Sequence, residues 1–374
     1  MDQSIIRISK ELSDIQKSSD LSLAVACRDV DVRNVKALIM GPHETPYEFG
    51  FFESLLSTNP YENEPGFEDA NEDSDKKAQK DYVQKVPLDD PMRLDRLEAY
   101  LGLSPDGYQH GVEARDPDEI DDDDIDESSV PFEPFKDLCK RRFLWYYESY
   151  LATIKLGKSE VKDGQHFVRM PFESPNSNSM DGRFNYAELE RRLRTIKAAI
   201  DAEPLVWAEE GLASKAREST VAVNLQHQFE QVVESFKRSD MPHDVFLENG
   251  NPFIWMITYF GRPMTNLDGG LFRVKMNFSP RFPDEQPRVK FESKIFHHYI
   301  AADGTACYSP NPMRREDVKS HIEAIFAFLE EDEPAYDPRK IVNPEASKMY
   351  WGGAADDRKK YNRRLRRSVQ QSME

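Results

Sequence analysis

The cysteines, Cys27, Cys139 and Cys307, are the residues whose type best suits nucleophilic chemistry. A thiolate is both a strong nucleophile and a good leaving group, which fits it for covalent group transfer. The three lie far apart in the sequence, so their spacing suggests neither a disulfide framework nor a metal site. A reducing compartment, cytoplasmic or nuclear, fits that usage. Spacing alone favours a buried free cysteine at 307 over a nucleophile, because cysteine is among the most buried residue types. Cys27, placed before the first apolar strand, reads as an ordinary small apolar residue.

Two charge runs bound the possible partners. Asp116–Glu127 carries nine acidic residues in twelve, and self-repulsion predicts an extended, solvated linker there. Arg358–Arg367 carries seven basic residues in ten. It reads as a solvated helix face that could pair with the acidic run, in the same chain or another. The net charge of −18 over 374 residues argues against general nucleic-acid binding. No apolar run of 18 residues or more occurs, so no membrane span is expected. The amino terminus lacks the basic-then-apolar layout of a secretory signal.

The elements that must position these residues fall into four parts. Residues 1–70 begin with an amphipathic helix over 5–17, its apolar stripe set by Ile5, Ile8, Leu12 and Ile15. A strand over Val32–Ile39 and a turn from Gly41 follow. Residues 71–130 are polar and acidic, with one helix near Met92–Leu101. Residues 131–215 read as helical, with stripes at Phe143, Leu144, Tyr147, Leu151 and Ile154, and at Tyr186, Leu189, Leu193, Ile196 and Ile200. These stripes signify packing, and no catalytic constellation shows in this part. Residues 222–370 run from a helix into apolar strands at 253–259, 271–278 and 289–291, then an irregular stretch holding Cys307, then helices. That order predicts an α+β layout with an antiparallel sheet.

The two ends repeat one another. Gly41 to Phe52 spans the same interval as Gly261 to Phe272, and a helix and an apolar strand precede each. Matching Leu56 to Leu329 on the helix after Cys307 leaves the first copy about 53 residues short, on the length such a sheet requires. That arithmetic puts a join at Phe52-Glu53, either a deletion or a skipped segment of the gene. The first copy is therefore expected to lean on the middle region for cover, or to fold poorly.

Several motifs resemble the ubiquitin-conjugating enzyme family. Phe282-Pro283-Asp284-Glu285-Gln286-Pro287-Arg288-Val289 is similar to its aromatic-Pro-x-x-x-Pro-x-Val strand entry. His297-His298-Tyr299 falls where the family has His-Pro-Asn, and Gly304-Thr305-Ala306-Cys307 where it has Gly-x-x-Cys. Asn343-Pro344-Glu345-Ala346 and Lys360-Tyr361-Asn362 resemble its final helices. At the other end, Val35–Glu48 looks like the start of such an enzyme, and Leu55–Glu68 is similar to the later part of Z-class members.

The resemblance implies a four-stranded antiparallel sheet flanked by helices over 222–370, a helical middle region and an incomplete amino-terminal copy. It implies ubiquitin or a ubiquitin-like protein, an activating enzyme and a ligase as partners. ATP would be used by the activating enzyme, and no cofactor would be bound here. Cys307 would carry the thioester and pass it to a substrate lysine or a ligase. Tyr299 would stand at the Asn position that supports the oxyanion, where a phenol's reach differs from an amide's. His297 would brace the loop. Glu331, Asp332, Glu333 and Asp337 would be the carboxylates available to orient an incoming lysine. The loop after Cys307 lacks the family's Trp-Ser-Pro. With Tyr299, that departure leaves open a second reading, a catalytically inactive binding or scaffold module. A third leaves the second copy as a scaffold for a longer, active isoform of the first.

Overall fold

The computed structural model describes residues 3–18, 20–28, 31–43, 45, 48–57, 91–103, 132–166, 182–239 and 243–373. The Z-class resemblance beyond Ser57 and the whole acidic run at 116–127 lie outside them.

Helix α1 (Gln3–Lys17) leads into β1 (Leu23–Arg28), β2 (Asp31–Met40) and β3 (Phe51–Ser57), an antiparallel meander in that spatial order. Cys27 sits within β1, opposite Val35, rather than before the first strand. Strand β3 runs unbroken through the expected join at Phe52-Glu53. It pairs along its length with Asn34–Met40, and Leu56 lies opposite Val35 on a strand rather than on a helix. The match of Leu56 to Leu329, and with it the figure of 53 missing residues, therefore does not hold.

Helix α2 (Pro91–Tyr100) is followed by two long helices, α3 (Lys136–Glu160) and α4 (Tyr186–Ala216). The Asn185 side chain caps α4 by accepting from the Glu188 N–H. Lys158 pairs with Glu190 and Lys140 with Glu203, which sets α3 and α4 antiparallel. Both expected stripes face inward: Phe143, Ile154, Leu193, Ile196 and Ile200 are buried with Leu38 of β2 and Leu97 of α2. The amino-terminal sheet thus rests on the middle helices.

Helix α5 (Thr220–Lys237), capped by Ser219, opens the last part. A four-stranded antiparallel sheet follows in sequential order: β4 (Asp244–Leu247), β5 (Ile254–Phe260), β6 (Leu271–Asn277) and β7 (Arg288–Phe291). Trp255, Ile257, Tyr259, Phe272, Val274 and Met276 fill its core side against α5 and α6 (Val318–Glu330). Helices α7 (Pro344–Trp351) and α8 (Ala355–Ser372) complete the chain. Asp317 and Asn343 cap α6 and α7, and Pro344 stands at the start of α7, where a missing N–H costs nothing. This is the expected α+β architecture.

The repeated turns close alike. The Gly41 N–H donates to Gly50 O at 2.8 Å, and the Gly261 N–H to Gly270 O at 2.8 Å. Ile39 faces Phe52 as Tyr259 faces Phe272.

Candidate functional site

Cys307 lies in a loop laced to the edge of β7. Bridges join Lys290 to Thr305 and Ile300 to Ala306, and the Phe291 N–H donates to Gly304 O at 2.8 Å. Gly304 has φ +86°, and a Cβ there would stand 2.2 Å from Phe291 O. Only glycine allows that approach. The Cys307 N–H donates to Tyr299 O at 2.9 Å, so the two motif segments meet directly beneath the thiol.

The His297-His298-Tyr299 turn is held from both sides. His297 Nδ1 accepts the Tyr299 N–H at 3.2 Å, and burial pushes its pKa down to about 3. It is therefore neutral and braces the turn, the role that the resemblance implied. His298 stands where the family has proline. Its ring enters an aromatic box of Tyr350, Trp351 and Tyr361, with Nδ1 3.0 Å from the Tyr361 hydroxyl. The Tyr299 ring is buried edge-on to Phe328 and His298. Burial, with Glu331 and Cys307 nearby, raises the Tyr299 hydroxyl above its ordinary value, so it stays protonated and able to donate.

Past the cysteine, the buried Tyr308 hydroxyl lies 3.0 Å from His321 Nδ1. His321 Nε2 lies 2.9 Å from Arg315 O. A carbonyl only accepts, so Nε2 carries the proton and Nδ1 accepts from Tyr308. Burial holds His321 neutral, with a pKa of about 4. The loop is thus pinned to α6.

Of the four expected carboxylates, Glu331, Asp332 and Glu333 are exposed, and Asp337 is half-buried. Burial opposes ionisation of Asp337, but hydrogen bonds from Arg339 outweigh it and hold the carboxyl below its usual range.

Sequence reasoning missed the contribution of α3. Cys307 is only 4% exposed, within a buried cluster that includes Trp145 and Tyr146. Burial pushes its thiol up to about 12, although the Arg142 guanidinium and the Lys340 ammonium pull the other way. Arg142 is itself 7% exposed, stacks on Trp145 at 4.4 Å, and leaves Nη1 without a hydrogen-bond partner. Tyr146 donates to Arg339 O at 2.8 Å. Nothing in the local pattern of α3 marks these residues, which sit within a run of packing positions.

The middle helices also grip the loop through buried charge. Arg288 of β7 reaches Asp137 of α3 at 2.8 Å and Glu203 of α4 at 3.0 Å. Asp303 of the cysteine loop pairs with Lys197 of α4 at 2.6 Å. Burial works against the Asp303 charge, but Lys197 prevails and its pKa falls to about 2. The buried Arg288 pairs are strongly destabilising to break singly, because the remaining partner is stranded, whereas the Asp303 side chain is 34% exposed and its pair is worth less.

In the basic run, Arg358 stacks on Tyr350 at 3.4 Å and Arg364 on Phe296 at 3.6 Å. Lys359, Lys360, Arg363, Arg366 and Arg367 are exposed, as a solvated face requires. Among the described residues no group of His, Cys, Asp and Glu could hold a metal ion, and no helix is long and apolar enough to cross a membrane.

Known proteins agree with the architecture. The family model for ubiquitin-conjugating enzymes matches residues 224–369. Ubiquitin-conjugating enzyme E2 1 of Caenorhabditis elegans is 31% identical over 125 residues, 33% of this chain and 61% of that protein. Ubiquitin-conjugating enzyme E2 7 of Triticum aestivum is 37% identical over 67 residues, 18% of this chain and 40% of that protein. The chain thus spans less than two thirds of the length of these curated relatives. Its carboxy-terminal part, 224–369, is a domain of the ubiquitin-conjugating enzyme family.

Proposed function

We propose that the chain conjugates ubiquitin or a ubiquitin-like protein by thioester transfer through Cys307. The observation that carries this reading is the seat of Cys307. It lies on a glycine-dependent loop laced to β7, its N–H bonded to Tyr299 O, in a family domain. The Cys307 thiolate would attack the thioester carbonyl held by an activating enzyme, expelling that enzyme's thiolate. A lysine amine or a ligase thiolate would then attack the new thioester and expel Cys307. Tyr299, kept protonated, would donate to the oxyanion in place of the family's Asn. ATP is consumed by the activating enzyme, and no cofactor is assigned to this chain. The amino-terminal α1–β3 unit is an incomplete second copy of the module, supported by its matching order of elements and its matching turn closure.

A second reading, a catalytically inactive binding module, is favoured by one observation: the Cys307 side chain is buried, and burial raises its thiol pKa. Charging with activating enzyme, ubiquitin and Mg-ATP separates the two. A thiol-sensitive adduct one ubiquitin heavier, lost in Cys307→Ala, supports conjugation. Its absence across several modifiers, with the domain folded, supports the binding module.

A further inference from the structure

We propose that α3 is an intramolecular lid over Cys307, and that this nucleophile reacts only after α3 withdraws from it. The acceptor of a protein-borne thioester must meet a carbonyl at the end of another protein's chain. Such an approach needs open space over the sulfur, whereas Cys307 is almost wholly enclosed. The proposed cover is Arg142, Trp145 and Tyr146, which share one face of α3 at helical spacing; Trp145 and Tyr146 belong to the buried cluster that holds Cys307, and the Arg142 guanidinium is near enough to act on its thiol. All three lie outside the matched family domain, so the lid is an addition to that domain rather than part of it. It silences the sulfur in two ways. It excludes partners, and its burial of the thiol at about 12, against an ordinary value of 9.0, leaves about a thousandfold less thiolate at neutral pH.

The closed state is built to be reversible. Arg142 buries a charged group with one donor unsatisfied, which weakens the closed packing. Apolar packing of Trp145 and Tyr146 is joined by polar fastenings: Asp137 to Arg288, the neighbouring Glu203 of α4 to Arg288, and the Tyr146 hydroxyl to Arg339 O. A partner that offered those groups better contacts would release the helix. Cys139, on the same helix, packs into the separate cluster beneath the amino-terminal sheet, so the lid lies between the two units and touches both.

The seal itself does not depend on the conjugation reading; only its consequence for charging does. The test alkylates the intact chain with N-ethylmaleimide at neutral pH and follows Cys307 by peptide mass spectrometry. Cys307 of the unaltered protein should react at least about a hundredfold more slowly than an unstructured cysteine peptide. The pair Asp137→Asn and Glu203→Gln should accelerate it at least about tenfold by freeing Arg288. The milder Tyr146→Phe, which loses one neutral hydrogen bond, should accelerate it about fivefold. Amide exchange in β5 and β6 verifies folding. Charging by an activating enzyme should rise in parallel. Faster alkylation without any charging keeps the lid and overturns the conjugation reading. Alkylation of the unaltered protein at the peptide's rate overturns the lid, as does an unchanged rate in both folded variants.

Discussion

The two sheets share a beginning and differ in how they end. Each starts with a helix, a short strand and a hairpin closed by the same glycine-to-glycine hydrogen bond. The carboxy-terminal sheet adds β7, and the edge of β7 carries the Cys307 loop. In the amino-terminal sheet β3 pairs with β2 alone among the described strands. Its cover comes instead from α3 and α4, which bury Leu38. The difference shows that the hairpin is a framework and the fourth strand is what builds a reactive loop upon it. The middle helices serve both units: they bury Leu38 of the first, and Trp145 and Tyr146 of α3 join the buried cluster of the second.

That comparison can be broken from either side. Phe143 is fully buried beneath the amino-terminal sheet. Phe143→Ala should cost that unit about 4 kcal/mol. Hydrogen exchange should then rise in β1–β3 while β5 and β6 stay protected; equal loss in both sheets would show a single cooperative core. Gly304→Ala attacks the other side, forcing a Cβ onto Phe291 O. A loss of about 3 kcal/mol is expected in chemical denaturation, confined to the Cys307 loop and β7.

Acid sharpens the comparison. Asp303 holds a depressed pKa in the folded state, so its contribution is complete above pH 3.8 and fades as pH falls through about 2. The carboxy-terminal unit should lose about 1–2 kcal/mol over that window, discounted for the partial exposure of the pair. Asp303→Asn should flatten the acid limb of a stability–pH curve. The smallest effect belongs to Tyr150, whose hydroxyl donates to Phe49 O at 2.9 Å and ties α3 to the first hairpin. Tyr150→Phe should lower the midpoint of amino-terminal unfolding by the equivalent of about 1 kcal/mol.

Much of this fold is legible in the residues. Alternation in Leu271–Asn277 and the stripes of α3 and α4 follow from burying one face at a fixed period. The repeated Gly-to-Phe interval pointed to two copies of one module, and in the structure both intervals close a turn with the same glycine-to-glycine hydrogen bond. Three strands were not foreseen, β1, β3 and β4; Leu56 of β3 was matched to a helical position instead. Strand β1 contains Ala24 and Ala26, which carry little strand preference, and β4 is only four residues long. The meeting of the Tyr299 and Cys307 segments was suggested by local motifs, and the Cys307 N–H does bond Tyr299 O. The burial of Cys307 in one cluster with Trp145 and Tyr146 was not suggested in this way, because it joins residues distant in the chain, and no periodicity records which neighbour a buried face will meet. Leu56 misled for a related reason: similarity in type to Leu329 carries no information about whether a strand or a helix holds it.

Tryptophan placement gives the molecule an optical consequence. Of four tryptophans, Trp145 and Trp207 lie on α3 and α4, each buried beneath an arginine: Arg142 at 4.4 Å and Arg288 at 4.9 Å. Half of the tryptophans thus sit beside the seam between the middle helices and the last sheet. Undocking would let water reach two indoles together and shift the emission to the red. The seam thus carries its own dye, and its opening can be timed in a stopped-flow cell with no label attached.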